Sequence, residues 1–117
     1  MTPVDKHDVG TAKAIVTAGD AGDPRLLDWV ADLNWPVAQT LVPFLASAGR
    51  IVAPGIREVL ASDDDTWKWS VVTGIIARSP ELVMLLRPEL ERMVKVPSQG
   101  ERDEGLDQVA SELLDRI

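Results

Sequence analysis

The chain contains no cysteine and no tyrosine, one phenylalanine (Phe44) and one histidine (His7) among its 117 residues. Without cysteine there is no disulfide framework, no thiolate zinc site and no thiol nucleophile. His7 lies in a polar segment near the amino end, whereas general acid-base work usually wants an enclosed imidazole. It reads as a solvated surface residue. The nucleophile elbow, the Walker loop, the dinucleotide-binding glycine fingerprint and the His-Glu-x-x-His motif are all missing. The expectation is therefore a protein that is not an enzyme and carries no metal or cofactor.

Positive charge is also scarce. The formal net charge is -7, with seven acidic and five basic side chains in residues 1–60 and twelve and seven in residues 61–117. Nucleic-acid affinity rests on lysine and arginine displacing counterions from phosphates, so no nucleic-acid partner is expected. The longest uncharged run, Leu33 to Gly49, is 17 residues long and includes Asn34, Pro36, Gln39, Thr40 and Pro43. It is short and polar for a membrane span and reads as a helix buried in protein. Met1 to Asp8 lacks the charged-then-apolar pattern of a signal peptide, which points to the cytoplasm.

The chain does have four tryptophans, all within about forty residues and in two similar segments, Leu27 to Pro36 and Asp63 to Ser70. Each places acidic and small polar residues just before an apolar run, as a loop entering a buried helix would. Trp35 and Trp67 lie 32 residues apart, close to the period of helical-repeat arrays.

Proline marks the helix starts, because its fixed backbone angle suits a first turn where its missing amide hydrogen costs nothing. Asp23-Pro24 opens a segment with Leu26, Leu27, Val30 and Leu33 on one stripe. Asn34 is placed to cap a helix from Pro36 to Ala48 that ends at Gly49. Pro54 opens a short helix, and Asp63 to Asp65 lead into a central one over Trp67 to Ala77. Ser79-Pro80 starts another, with a break near Arg87 before Pro88. Ser98 and Glu101 have capping-box spacing ahead of one continuous stripe from Leu106 to Ile117. Residues 1–22 hold a weaker helix, between Val4 and Gly19, and a loop. No stretch alternates apolar and polar residues as a strand would. The expectation is one all-α domain over residues 1–117, a compact α-α superhelix of six to seven helices in antiparallel pairs.

Leu27-Asp28-Trp29-Val30-Ala31-Asp32-Leu33-Asn34-Trp35-Pro36, Ile56-Arg57-Glu58-Val59-Leu60 and Asp63-Asp64-Asp65-Thr66-Trp67-Lys68-Trp69 together resemble the family called domain of unknown function 5071. Glu89 to Met93, Pro97-Ser98, Glu101, Glu104 and the helix through Ala110 are similar to its closing pattern. The resemblance covers residues from about 23 to 115 and departs at Ser70, where the family more often has an aliphatic or aromatic residue. It implies a bacterial protein with HEAT-like or armadillo-like helical repeats and supplies no activity.

Asp32 and Asn34 precede one central helix and Asp63, Asp64 and Asp65 the next. Parallel stacking would gather their oxygens along one edge, the ligand type that hard cations favour, although such residues are also ordinary helix caps that complement the dipole. Trp35 and Trp67, at the loop-to-helix junctions, either face a partner or roof the core. Trp29 and Trp69 are expected in the core. Lys68 reads as a surface lysine neutralising the acidic turn or lying over a ring, Glu101 and Glu104 as cap and solvated face, and Gly74 as a point of close helix approach.

The function expected from these features is a protein-protein interaction module whose partner is basic or amphipathic, one version being an immunity or antitoxin-like protein covering a basic toxin. Its contacts are expected at Trp35, Trp67, Asp32, Asn34, Asp64, Asp65 and Lys68. The competing reading is a metal-binding or small-molecule-binding protein that uses the same acidic loop edge. Oligomeric state is not legible in the sequence.

Overall fold

The computed structural model describes residues 3, 5–19 and 21–117, with the backbone alone at Pro24. Among the described residues there are eight α-helices, three 3-10 segments and no strand. The helices are α1 (Val9–Ala18), α2 (Pro36–Ala48), α3 (Ala53–Leu60), α4 (Asp65–Gly74), α5 (Pro80–Leu85), α6 (Arg87–Lys95), α7 (Gln99–Asp103) and α8 (Leu106–Leu114). The fold is all-α, as expected, with more and shorter helices than six or seven. Val4, where the expected range of the first helix opens, lies outside the described residues.

Successive helices pack as neighbours: α1 on α2, α3 on α4, α5 on α6 and α7 on α8, while α8 also lies along α6 and touches α4. The core is aliphatic. Leu26, Leu41, Leu45, Ile56, Ile75, Ile76, Leu82, Leu86, Leu90, Leu106 and Leu113 are all buried, joined by Met93. Each such side chain withdrawn from water contributes about 1.5–3 kcal/mol, which lets a chain with few aromatics hold a core together. The radius of gyration is 13.6 Å, against about 13.4 Å from size scaling at this length.

Several boundaries follow from caps legible in the sequence. Asp64 accepts the Trp67 amide at 3.0 Å and starts α4. Ser79 accepts the Leu82 amide at 3.2 Å and starts α5 at Pro80. The Ser98 hydroxyl and the Glu101 carboxylate complete a capping box at α7, and a break at Leu86, near Arg87 as expected, divides α5 from α6.

Four expectations need correction. The segment after Asp23 is a 3-10 helix, Pro24–Val30, and not an amphipathic α-helix. The carbonyls of Leu27 and Ala31 accept the Trp67 indole N–H at 2.8 Å and the Ser70 hydroxyl at 3.0 Å, so α4 satisfies groups that another helical turn would have used. Asn34 does not cap α2. Trp35 is the capping residue and makes no side-chain cap bond, while the Asn34 amide donates to the Asp32 carboxylate at 2.8 Å. The central helix ends at Gly74 and continues only as a 3-10 turn, Ile76–Arg78. The last helix, expected to run on from the Ser98 cap, is two: α7 ends before Gly105, whose φ of 74° is left-handed, and the stripe begins α8, which stops at Leu114.

Gly74 does allow close approach, though not of a helix: an added Cβ would lie 2.8 Å from the Leu33 side chain. By length and composition one stretch, Pro36–Leu60 (25 residues), is apolar enough to cross a membrane. Here it is α2, a 3-10 turn at Gly49–Val52 and α3, and half of its most apolar window is buried in the protein.

Gly105 offers a clean test of the division between α7 and α8. A Cβ there would meet nothing within 4 Å, so Gly105→Ala carries only the left-handed backbone penalty, about 1 kcal/mol. Urea unfolding should show a lower midpoint with an unchanged slope.

Candidate functional site

Glu101 caps α7 as expected but is fully buried, and Lys68 is 4% exposed, the reverse of the solvation expected for both. Their meeting place is a cluster drawn from α4, α6 and α7. Lys68 Nζ lies 2.8 Å from Asp65 Oδ1, one helical turn back, and 3.2 Å from Glu101 Oε2. Arg92, on α6, grips the same carboxylate with both terminal nitrogens, Nη1 to Oε1 at 2.8 Å and Nη2 to Oε2 at 2.5 Å. The Ser98 amide donates to Oε1 at 2.8 Å. Four donors therefore reach the two oxygens, the full acceptor capacity of a carboxylate.

Saturation sets the electrostatics. The Arg92 hydrogen bonds, aided by the Ser98 amide and Lys68, outweigh the cost of burial and bring the Glu101 pKa down from 4.5 to about 2. Burial works against the charge on Lys68, but its bonds to Asp65 and Glu101 prevail and raise its pKa. Glu101, Lys68 and Arg92 are thus held in their charged forms, and with Asp65 the cluster sets two basic side chains against two acidic ones. A carboxylate held ionised with no free lone pair is poorly suited to proton transfer.

Asp65 also depends on a glycine. A Cβ on Gly100 would fall 1.8 Å from Asp65 Oδ2, so only glycine lets the first turn of α7 lie against that carboxylate. Above the cluster opens a groove of about 550 Å³ whose lining includes Asp63, Asp65, Lys68, Arg92 and Ser98.

The residues singled out in the sequence therefore separate. Asp65 and Lys68 come together in this groove, with Asp63 on its rim. Asp64 caps α4. Asp32 and Asn34 do not line the groove; Asp32 is occupied with the Asn34 amide and Asn34 is exposed. Among the described residues no three His, Cys, Asp or Glu side chains are grouped as a metal site would need. Trp35 and Trp67 are half-buried and packed against the core, and Trp67 is further fixed by its bond to Leu27. Trp29 is half-buried, while Trp69 is 37% exposed, contrary to the core position expected for it.

Arg92 and Glu101 were missed as members of the cluster. A partial signal existed: a lysine inside an otherwise apolar helical run needs an anion, and a capping-box glutamate nine residues after an arginine was available to supply it.

The fold and site define a small all-helical protein built around a buried, charge-balanced ion cluster. The chain belongs to the family described as Domain of unknown function (DUF5071), whose model matches residues 1–114. No curated protein matches the chain.

Removing Glu101 leaves buried Lys68 with Asp65 as its anion and frees the half-exposed Arg92, so Glu101→Ala should cost about 1–3 kcal/mol at neutral pH. Because the folded pKa is depressed, the unfolded chain takes up the proton first. The stabilisation is complete above about pH 4.5 and is lost as pH falls from there towards 2. Urea titrations at successive pH values should show wild type losing stability through that window, with Glu101→Gln losing less.

Proposed function

We propose that this chain is a non-enzymatic protein-protein interaction module of the cytoplasm, a helical-repeat scaffold whose partner presents a basic or amphipathic surface. The observation that carries the reading is the separation of charge. The Asp65, Lys68, Arg92 and Glu101 cluster balances itself, so the net charge of -7 belongs to the rest of the chain. Asp28, Asp63 and Glu58 are exposed at the edges of grooves. Carboxylates so placed steer and orient a basic partner, acting mainly on association rate and specificity.

The helical-repeat reading is supported by the succession of neighbouring helix pairs and by the link between the two tryptophan segments, where α4 bonds to the carbonyls of Leu27 and Ala31. Engagement of Asp64 as a cap and Asp65 as an ion-pair partner favours this function over cation binding at the acidic edge. An immunity-like protein that covers a basic toxin is the specific form of the proposal, motivated by small size and acidity.

Affinity purification of the tagged chain from its native cell, followed by mass spectrometry, tests the reading. A stoichiometric basic partner, released as added salt shortens the Debye length, is the expected result. Recovery of the chain alone would sink it, and a neighbouring reading frame that encodes nothing toxin-like would remove the immunity version.

A further inference from the structure

On the side of α4 that carries Trp67, two recesses adjoin and share Leu27, Gly55 and Glu58 in their walls. The first, about 180 Å³, has an apolar lining that includes Leu45, Ile51, Val52 and Pro54. At ~30 Å³ per water this is roughly six waters' worth of space, enough for one aliphatic side chain. The second, about 250 Å³, is walled by Asp28, Glu58, Val59 and the Trp67 indole.

The two recesses differ in chemistry. Asp23, at the far end of the first, is already held by Arg25 at 2.8 Å. Asp28 and Glu58 are exposed, and among the described residues neither is in an ion pair. The same recess is lined by the Trp67 indole, whose N–H is fixed on the Leu27 carbonyl, so its ring is held in place before anything binds. Two carboxylates free of close ion pairs, with only a longer-range attraction between Asp28 and Arg25, and an aromatic ring are the surroundings that stabilise a guanidinium or ammonium group. Gly55 sends no side chain into the boundary between the recesses. Ile51, 59% exposed, leaves apolar surface beside them that water now covers.

We propose that these adjoining recesses form a two-part socket for a segment of a partner protein, the Trp67, Asp28 and Glu58 side taking an arginine or lysine and the Leu45 and Ile51 side taking the neighbouring aliphatic side chain. The proposal rests on the interaction-module reading and names the surface and the chemistry through which it would act. Charge complementarity selects the occupant, since a carboxylate-walled, aromatic-backed recess next to an apolar one matches a basic residue beside an apolar one. The groove above the ion cluster is a weaker socket for the same occupant, because Asp65 there is already spent on Lys68.

The test follows the Trp67 indole resonance by NMR during titration with a short capped peptide carrying arginine next to leucine. Saturable shifts of that resonance and of the Gly55 amide are expected. Replacing arginine with citrulline, or the protein with the double variant Asp28→Asn, Glu58→Gln, should weaken binding about tenfold, as two exposed charge pairs near the upper end of their usual range would. Ile51→Ser should weaken it by a smaller factor and leave the citrulline effect intact. All three positions are exposed, so the variants should fold, as an unchanged spectrum elsewhere would verify. An unmoved Trp67 resonance, or equal binding of the citrulline peptide, overturns the socket. Free arginine binding as tightly as the peptide overturns a protein occupant in favour of a small molecule. A partner purified from the native cell and captured equally by wild type and the double variant also overturns the socket, while the interaction-module reading stands; recovery of no partner fails that reading separately.

Discussion

The structure depends on the Glu101 carboxylate. It is the point at which α4, 33 residues away in sequence, is fixed to the consecutive helices α6 and α7: α4 through Lys68, α6 through Arg92 and α7 through the Ser98 cap. A lone buried carboxylate would be intolerable, since desolvation of an ion costs several kcal/mol even after relaxation. Here every lone pair has a donor and the charges cancel, so burial becomes affordable and geometry becomes strict. An apolar contact tolerates sliding, whereas the fork of Arg92 on two oxygens accepts one orientation. The short α7, only five residues from Gln99 to Asp103, could not hold its place by hydrophobic burial alone. The ion cluster gives it one.

From that fixed point α4 acts as a strut with two working sides. Lys68 turns towards the cluster, while Trp67 and Ser70, three residues apart and so on one face, turn towards the first tryptophan segment. The cost of leaving the Leu27 and Ala31 carbonyls without partners is thereby avoided. Consecutive residues thus couple the carboxy-terminal half of the chain to its amino-terminal half. The low amphipathic contrast of α4, apolar on nearly every side in sequence, reflects this double attachment: polar side chains there point into the protein and meet partners.

This also explains what was legible in advance. Local chemistry was readable because it acts within four residues: Asp64, Ser79 and Ser98 cap the helices that their positions announce, and Pro80 opens α5. Long-range partnership was not. Lys68 and Glu101 are 33 residues apart, and nothing near either residue says that each will neutralise the other, so solvation was the reasonable reading for both. Asn34 fails as a cap because α2 begins at Pro36 and Trp35 takes the cap position, while the Asn34 backbone N–H closes a turn on the Asp32 carboxylate, a local alternative to capping that composition does not decide. Trp69 was assigned to the core by its apolar neighbours, yet the adjoining Lys68 and Ser70 take the buried positions and turn the indole outward. Of the candidate site, Asp65, Lys68 and Trp67 were recognisable as a group of interest. That they serve two different recesses, and that Asp28 and Glu58 stand on one of them, required the fold.

The division of charge is the last step. A protein with seven more acids than bases could distribute the excess evenly and gain nothing but solubility. Here part of the basic complement is withdrawn into the interior: Lys68 is buried, and Arg92, although 45% exposed, spends its fork on Glu101. Neither cation remains available to pair with the carboxylates outside, and Asp28 and Glu58 stand exposed beside Leu27, Val59 and Trp67. The same ion cluster that locks α7 in place therefore leaves the acidic excess to the rest of the chain. Stability and the acidic character of the exposed recesses share one cause, the commitment of these cations to a buried anion.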